Sequence, residues 1–218
     1  MRTFAALVVS VLLTLVSQVG FAQDLLLEDY EGNGHLSVAD WRNTETDSEG
    51  NANAAEAAGK YATISWATQW SGLPSTNYED VKDLSKYMTY QVDVMVEEGQ
   101  PVEEGANFYV QLLSKADVGY AYWEAYVPQN LVPADGKWYR VSVPIKSMNA
   151  VAGEGAGEPT DRKSIMGCCN GMTFDEDGET FKFKKCAFDN VIVTTTEVEK
   201  TAVEPVPAKD AAKSEFVE

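Results

Sequence analysis

Histidine and cysteine are scarce in this sequence. Its 218 residues include one histidine, His35, and three cysteines, Cys168, Cys169 and Cys186. A structural zinc site takes four cysteine or histidine ligands, and His35 lies far from the cysteines along the chain. The composition therefore argues against metal–thiolate chemistry.

Sequence motifs of catalysis are also missing. The chain has no GxSxG, no HExxH, no phosphate-binding loop and no glycine-rich dinucleotide motif after a strand. A glycosidase needs two carboxylates that face one bond, but among 34 acidic residues some pair always exists, so a pair alone indicates nothing. We expect a protein that is not an enzyme.

Positive charge is scarce as well. The chain has 17 Lys and Arg against 34 Asp and Glu, a formal net charge of −17. Such a field repels phosphate backbones and anionic lipid headgroups, so nucleic acid and membrane surfaces are unfavourable partners. Neutral ligands and cations remain.

A long apolar run occurs at the amino end, over residues 4–16. It follows Arg2 and precedes Gly20, Phe21 and Ala22, a small-x-small pattern typical of signal-peptide cleavage. The run is short for a membrane span, and no stop-transfer pattern follows it. We predict a signal peptide over 1–22, a mature chain that begins at Gln23, and a protein exported to the periplasm or the extracellular space, with no membrane span after cleavage.

Export would place the three thiols in an oxidising compartment. There Cys168 or Cys169 could form a disulfide with Cys186, which would leave one cysteine over. The sequence does not distinguish between the two neighbours.

Helical periodicity is almost absent, whereas strand-like alternation is frequent. Predicted strands cover residues 25–30, 61–66, 88–96, 108–113, 120–127, 138–145, 180–184 and 187–194. Turn-rich pieces such as Glu31-Gly-Asn-Gly and Pro133-Ala-Asp-Gly separate them. This spacing is typical of an all-β sandwich, which we place over 23–196. Residues 197–218 lack any period and are predicted to form a disordered tail.

The alternation gives each strand two rows of side chains. In the segment 120–127, Trp123 shares one row with alanines and Val127, while the other row carries three tyrosines and Glu124. Tyrosine rings stack on the apolar faces of sugars, and charged partners orient the hydroxyl groups. If the second rows of neighbouring strands lie side by side, they form one ligand-binding face. Its predicted members are Trp70 in a loop at a strand end, and Asp93, Tyr109, Tyr120, Tyr122, Glu124, Tyr126, Trp138 and Arg140 on strands. The other interpretation is that the tyrosines only pack.

Five segments occur in an order that resembles a known family. They are Leu27-Glu-Asp-Tyr-Glu-Gly, Asp83-Leu-Ser-Lys-Tyr, Trp123-Glu-Ala-Tyr-Val-Pro, Trp138-Tyr-Arg-Val-Ser-Val-Pro-Ile and Phe188-Asp-Asn-Val-Ile-Val. Over residues 24–196 the sequence resembles jelly-roll carbohydrate-binding modules, most of all those of family 11, and the wider galactose-binding-like sandwiches. The resemblance implies a jelly roll of two antiparallel sheets.

The same resemblance implies two sites. Such modules hold a structural calcium between the start of the first strand and the last strand, which here corresponds to Asp29 or Glu31 together with Asp189; oxygen ligands of this kind suit calcium. They also bind a glucan chain in a cleft of tyrosines on the concave sheet. Tyr126 matches that cleft in its motif, and Trp138 and Arg140 match it by strand order.

The sequence is compatible with two functions. The first is a non-catalytic module that binds a neutral, glucan-like polysaccharide. The alternative is an envelope or extracellular structural protein that uses the same sandwich for contacts with a protein partner.

Overall fold

The computed structural model describes residues 24–30, 34, 54–55, 61–64, 70–101, 105–117, 119–153, 155–173 and 186–206. Over these residues the secondary structure is β-strand with two short 3-10 turns, Gln129–Leu131 and Ile145–Ser147. The strands are β1 Leu25–Glu28, β2 Ala54–Ala55, β3 Ala62–Ile64, β4 Trp70–Thr76, β5 Thr89–Val96, β6 Asn107–Lys115, β7 Tyr120–Pro128, β8 Trp138–Pro144, β9 Asn149–Val151, β10 Ile165–Thr173, β11 Cys186–Thr194 and β12 Ala202–Pro205.

The described strands form two antiparallel sheets. A seven-stranded sheet has the order β12-β8-β5-β11-β3-β2, with β1 also paired to β11, and a five-stranded sheet has the order β4-β10-β6-β7-β9. The chain crosses between the sheets several times, for example from β7 to β8 and from β10 to β11. The prediction of an all-β sandwich of two antiparallel sheets is confirmed.

The core lies between the two sheets. Each long strand contributes one row to it, such as Tyr90, Val92 and Val94 from β5 and Phe108 and Val110 from β6. This is the row that the alternation assigns to the interior. The rings of Phe108 and Phe188 meet edge to face across the sandwich, with centroids 6.1 Å apart.

A polar network also lies inside this core. The Tyr90 hydroxyl donates a hydrogen bond to Asn170 Oδ1 at 2.8 Å, and Asn170 Nδ2 donates to the Tyr30 hydroxyl at 3.4 Å. All three side chains are fully buried. The network links the segment after β1 to β5 and β10. Each buried polar group in it has a partner, which avoids the cost of an unpaired buried group.

The predicted disulfide between Cys186 and Cys168 or Cys169 is not formed in the structure. Cys168, Cys169 and Cys186 are all free and buried. Cys169 belongs to the outer side of the five-stranded sheet, whereas Cys168 and Cys186 face the core. In β10, Cys168 lies two residues before Asn170, and Asn170 bonds Tyr90. Tyr90 pairs with Val193 near one end of β11, whereas Cys186 lies at the other end of β11, beyond Phe188. A disulfide needs Cα atoms within about 7 Å, so this register keeps the two core-facing thiols apart.

The carboxyl end of the domain differs from the prediction. Residues 202–205 form β12, which pairs with Ser142 to Tyr139 of β8, and Val203 packs against the core. A disordered tail that begins at residue 197 is therefore wrong, and the ordered domain continues to at least residue 206. Residues 207–218, the predicted signal peptide at 1–22 and the predicted strand at 180–184 lie outside the described residues.

Candidate functional site

The structure separates the predicted ligand-binding residues into two groups on opposite sides of the sandwich. Asp93, Trp138 and Arg140 lie on the outer side of the seven-stranded sheet, in rows opposite to the core-facing valines of β5 and β8. The other group, Tyr109, Tyr122, Glu124 and Tyr126, lies on the outer side of the five-stranded sheet. A single face that carries all of these residues is therefore wrong.

Two predicted members can be placed by backbone alone. Trp70 is the first residue of β4, within a strand and not in a loop, and Tyr120 is the first residue of β7. The side chains of both lie outside the described part of the structure.

On the seven-stranded sheet, Asp93 and Arg140 bond to each other. Arg140 Nε donates to Asp93 Oδ1 at 2.8 Å and its second nitrogen donates to Oδ2 at 3.0 Å. Asn190 Nδ2 donates to the same carboxylate at 3.2 Å and to Asp189 Oδ2 at 3.0 Å. Asp93 is 1% exposed, so this bidentate pair links β5, β8 and β11 within the fold.

Trp138 is also engaged on that side. It is half-buried and meets the Tyr61 ring edge to face, with centroids 5.6 Å apart. On the outer side of the seven-stranded sheet, Trp138 and Arg140 thus contact other residues of the fold, Tyr61 and Asp93.

On the five-stranded sheet, Tyr109 is buried by its neighbours. It is 5% exposed and belongs to an outer cluster with Leu113, Met166 and Cys169. Its hydroxyl lies so close to Gly72 that a Cβ at that position would be 2.0 Å from it. For Tyr109 the packing interpretation holds.

The remaining residues form a small surface, the tyrosine face, made of Gln111, Tyr122, Glu124 and Tyr126. The Tyr126 hydroxyl donates to Glu124 Oε1 at 3.0 Å, and Gln111 Nε2 donates to Glu124 Oε2 at 3.2 Å. Partial burial is the larger cause, and the hydrogen bond to Glu124 the second cause, of a Tyr126 pKa above its ordinary value. The phenol therefore stays protonated and can donate a hydrogen bond at neutral pH.

Exposure differs along this face. Tyr126 is 38% exposed, Glu124 is 8% exposed, and Tyr122 is half-buried against the outer cluster. Tyr126 pairs with Tyr109 of β6, and on its other side β9 pairs with β7 only as far as Glu124, so the Tyr126 ring lies beyond the end of β9. This arrangement presents one aromatic ring with a hydrogen-bonded carboxylate beside it.

For the predicted calcium site, the structure describes two of three ligands. Asp29 and Asp189 are both buried; Asp29 directly follows β1, and Asp189 lies within β11, opposite Asp93 of β5. Glu31 lies outside the described residues. The described residues contain no group of three or more His, Cys, Asp or Glu side chains arranged for a metal ion.

A feature that the sequence did not indicate lies at one end of the sandwich. A cavity of about 400 Å³ separates the β6–β7 hairpin from the segment after β9, and Ser114, Ala121 and Gly157 are among its lining residues. The available signal was a decrease in side-chain size at the ends of the inward rows.

Comparisons with known proteins give no family. No protein-family model matches the sequence, and no curated protein is significantly similar to it. Among solved structures, a mutant of Trypanosoma rangeli sialidase displaying trans-sialidase activity is similar at 13% identity and a TM-score of 0.28. The match covers 64% of this chain and 28% of that one, so this chain spans less than a third of its length. A likeness this weak has no implication for activity.

Within the described residues, no helix is long and apolar enough to cross a membrane.

Proposed function

We propose that this protein is an exported, non-catalytic carbohydrate-binding module, of the kind found in family 11, that binds a neutral, glucan-like polysaccharide on the tyrosine face. The observation that supports it is the 38% exposed Tyr126, whose hydroxyl bonds Glu124 on the outer side of the five-stranded sheet. An aromatic ring offers a stacking surface for a sugar, and the adjacent carboxylate and amide pair with hydroxyl groups.

The proposal involves no chemical step. Both oxygens of Glu124 accept hydrogen bonds from side chains of the tyrosine face, which suits a positioning role. A net charge of −17 disfavours anionic polysaccharides, so a neutral chain is the best match.

Replacing Tyr126 tests the proposal. Tyr126→Ala should weaken binding to a soluble β-glucan by about 1–2 kcal/mol, because stacking is lost while the core is untouched. Tyr126→Phe should retain most of the affinity. Isothermal titration gives the affinities, and added salt should change them little, since a neutral ligand releases no counterions.

The matched control is Tyr78→Ala. Tyr78 is 57% exposed and follows β4, where Lys115 Nζ donates to its carbonyl at 3.0 Å. Tyr126 pairs with Tyr109 of β6, and Lys115 lies six residues further along that strand, a distance of about 20 Å. Tyr78 is therefore far from the tyrosine face. Equal loss of glucan binding in both variants, or no binding by the unaltered protein to any neutral glucan tested, would refute the proposal. In the second case a pull-down of envelope proteins that fails with Tyr126→Ala would support the structural-protein alternative.

We also propose the calcium site as part of this function, with Asp189 as a ligand. An ion that binds only the folded state raises the melting temperature, so calcium should stabilise the protein relative to chelator. Asp189→Asn should remove most of that increase. Identical melting curves with calcium and with chelator would contradict the site.

A further inference from the structure

The cavity at the end of the sandwich lies apart from the tyrosine face. It is lined by the last residues of β6, by the first turn of the β6–β7 hairpin and by residues 155–161 and 164. Its volume of about 400 Å³ is within the range of small-molecule pockets and can hold one or two sugar rings.

The cavity exists because the inward rows become smaller at this end. Along β6 the core-facing row changes from Phe108 and Leu112 to the smaller Ser114. The residue of β7 that pairs with Ser114 is Ala121, which is also small. On the other side, the cavity is lined by residues 155–161, which include Gly155, Ala156 and Gly157. The sheet end and the glycine-rich segment therefore leave room between them.

The inner lining includes one hydroxyl group, that of Ser114. Ser114 is 7% exposed and lines the cavity, and its hydroxyl forms no hydrogen bond within the described part of the chain. Its oxygen keeps contact with solvent in the cavity, so the hydroxyl can donate and accept hydrogen bonds there. A ligand that carries hydroxyl groups can pair with it.

The rim of the cavity is acidic. Asp117 and Glu158 line it, are exposed, and make no side-chain hydrogen bond or ion pair with other described residues. Asp161, the third acid, accepts from the backbone nitrogen of Lys163 at 2.9 Å. Lys115 directs its ammonium to the Tyr78 carbonyl. The two remaining carboxylates can accept hydrogen bonds and attract a cation, and they repel an anion.

We propose that this cavity is a second binding site, which takes a small polyhydroxylated amine such as an amino sugar. The hydroxyl groups of the ligand reach Ser114, and its ammonium group lies at the rim between Asp117 and Glu158. The site acts independently of the tyrosine face, so its existence does not depend on the glucan proposal.

Three probes of one shape separate the contributions: glucosamine, glucose and glucuronate. Titration followed by NMR should show millimolar binding of glucosamine, binding of glucose that is weaker by about fivefold, as expected for two exposed charge contacts, and no binding of glucuronate. Asp117→Asn combined with Glu158→Gln should lower the affinity for glucosamine to that for glucose. Both positions are exposed, so this variant should keep its fold.

Ser114→Ala should weaken binding of both sugars, because it removes the hydroxyl group that lines the inner end of the cavity. Tyr126→Ala should leave glucosamine binding unchanged, which distinguishes this site from the tyrosine face. Equal affinity for glucose and glucosamine, no glucosamine binding, or unaltered glucosamine binding in the Ser114→Ala and the Asp117→Asn, Glu158→Gln variants would overturn the proposal.

Discussion

Tyr109 and Gly72 determine how the outer side of the five-stranded sheet is packed. The tyrosine hydroxyl occupies the space that a side chain at Gly72 would need, and the same space is bounded by Cys169 Sγ, 2.8 Å from the added Cβ. Burial is the main reason that the pKa of Tyr109 is raised well above its ordinary value. A tyrosine that a sequence pattern assigns to ligand binding is thus held by a neighbouring glycine.

Gly72→Ala should therefore destabilise the protein by about 1–3 kcal/mol, the usual cost of overpacking. In a Tyr109→Phe background the cost should be smaller, because the nearest remaining atom of the ring that the structure gives is Cζ at 3.1 Å. Urea unfolding of the four proteins in this cycle measures the coupling.

Gly157→Ala serves as the control, since nothing lies within 4 Å of its added Cβ. If both alanine variants lose the same stability, steric conflict with Tyr109 is not the cause.

For the strands, the alternation of apolar and polar residues predicted correctly those with one buried row and one outer row. The strands β5, β6, β7 and β8 each place one row in the core and the other outside, and their predicted bounds were close to those observed. The strand β10 was missed because all nine of its residues are buried, so no polar row marks it, and Gly167 and Gly171 interrupt the pattern.

The candidate site was predicted less well for a related reason. Alternation assigns a residue to a side of its own strand but does not say which sheet the strand joins. Arg140 and Tyr126 were therefore grouped together, although β8 and β7 belong to different sheets. The bond between Asp93 and Arg140 is likewise a consequence of pairing between β5 and β8 that the separate segments do not reveal.

The strand β12 allows a test at the same scale. Deleting residues 202–218 should lower the melting temperature, because it removes the backbone partner of β8 and the packing of Val203 on the core. Deleting residues 207–218 keeps the strand and should have little effect. Differential scanning calorimetry compares the two, and equal melting temperatures would show that β12 does not stabilise the domain.

For the whole molecule, the three buried thiols make stability depend on pH. Burial raises the pKa of Cys169 to about 12 and also raises the pKa of Cys168 and Cys186. Unfolded thiols ionise near about pH 8.5, so the folded state binds more protons above that value. The stabilising contribution is complete below about pH 8.5 and is lost as the pH rises towards the folded pKa values.

Each thiol should lower the free energy of unfolding by up to about 1.4 kcal/mol per pH unit in that range. Urea unfolding in reducing buffer, at about pH 7.5 and about pH 9.5, measures the slope. Cys186→Ala, although less stable overall, should show a shallower slope. A stability that does not change between the two pH values would contradict the burial of the thiols.

The positions of β1 and β12 have a consequence for how the domain can be displayed. Both strands belong to the seven-stranded sheet, one paired with β11 and the other with β8. A resin, a fusion partner or a cell surface joined through either end of the domain would thus be tethered at that sheet. The opposite sheet, with Tyr126, would then point outward from the support, so an immobilised copy should keep the tyrosine face open to the medium.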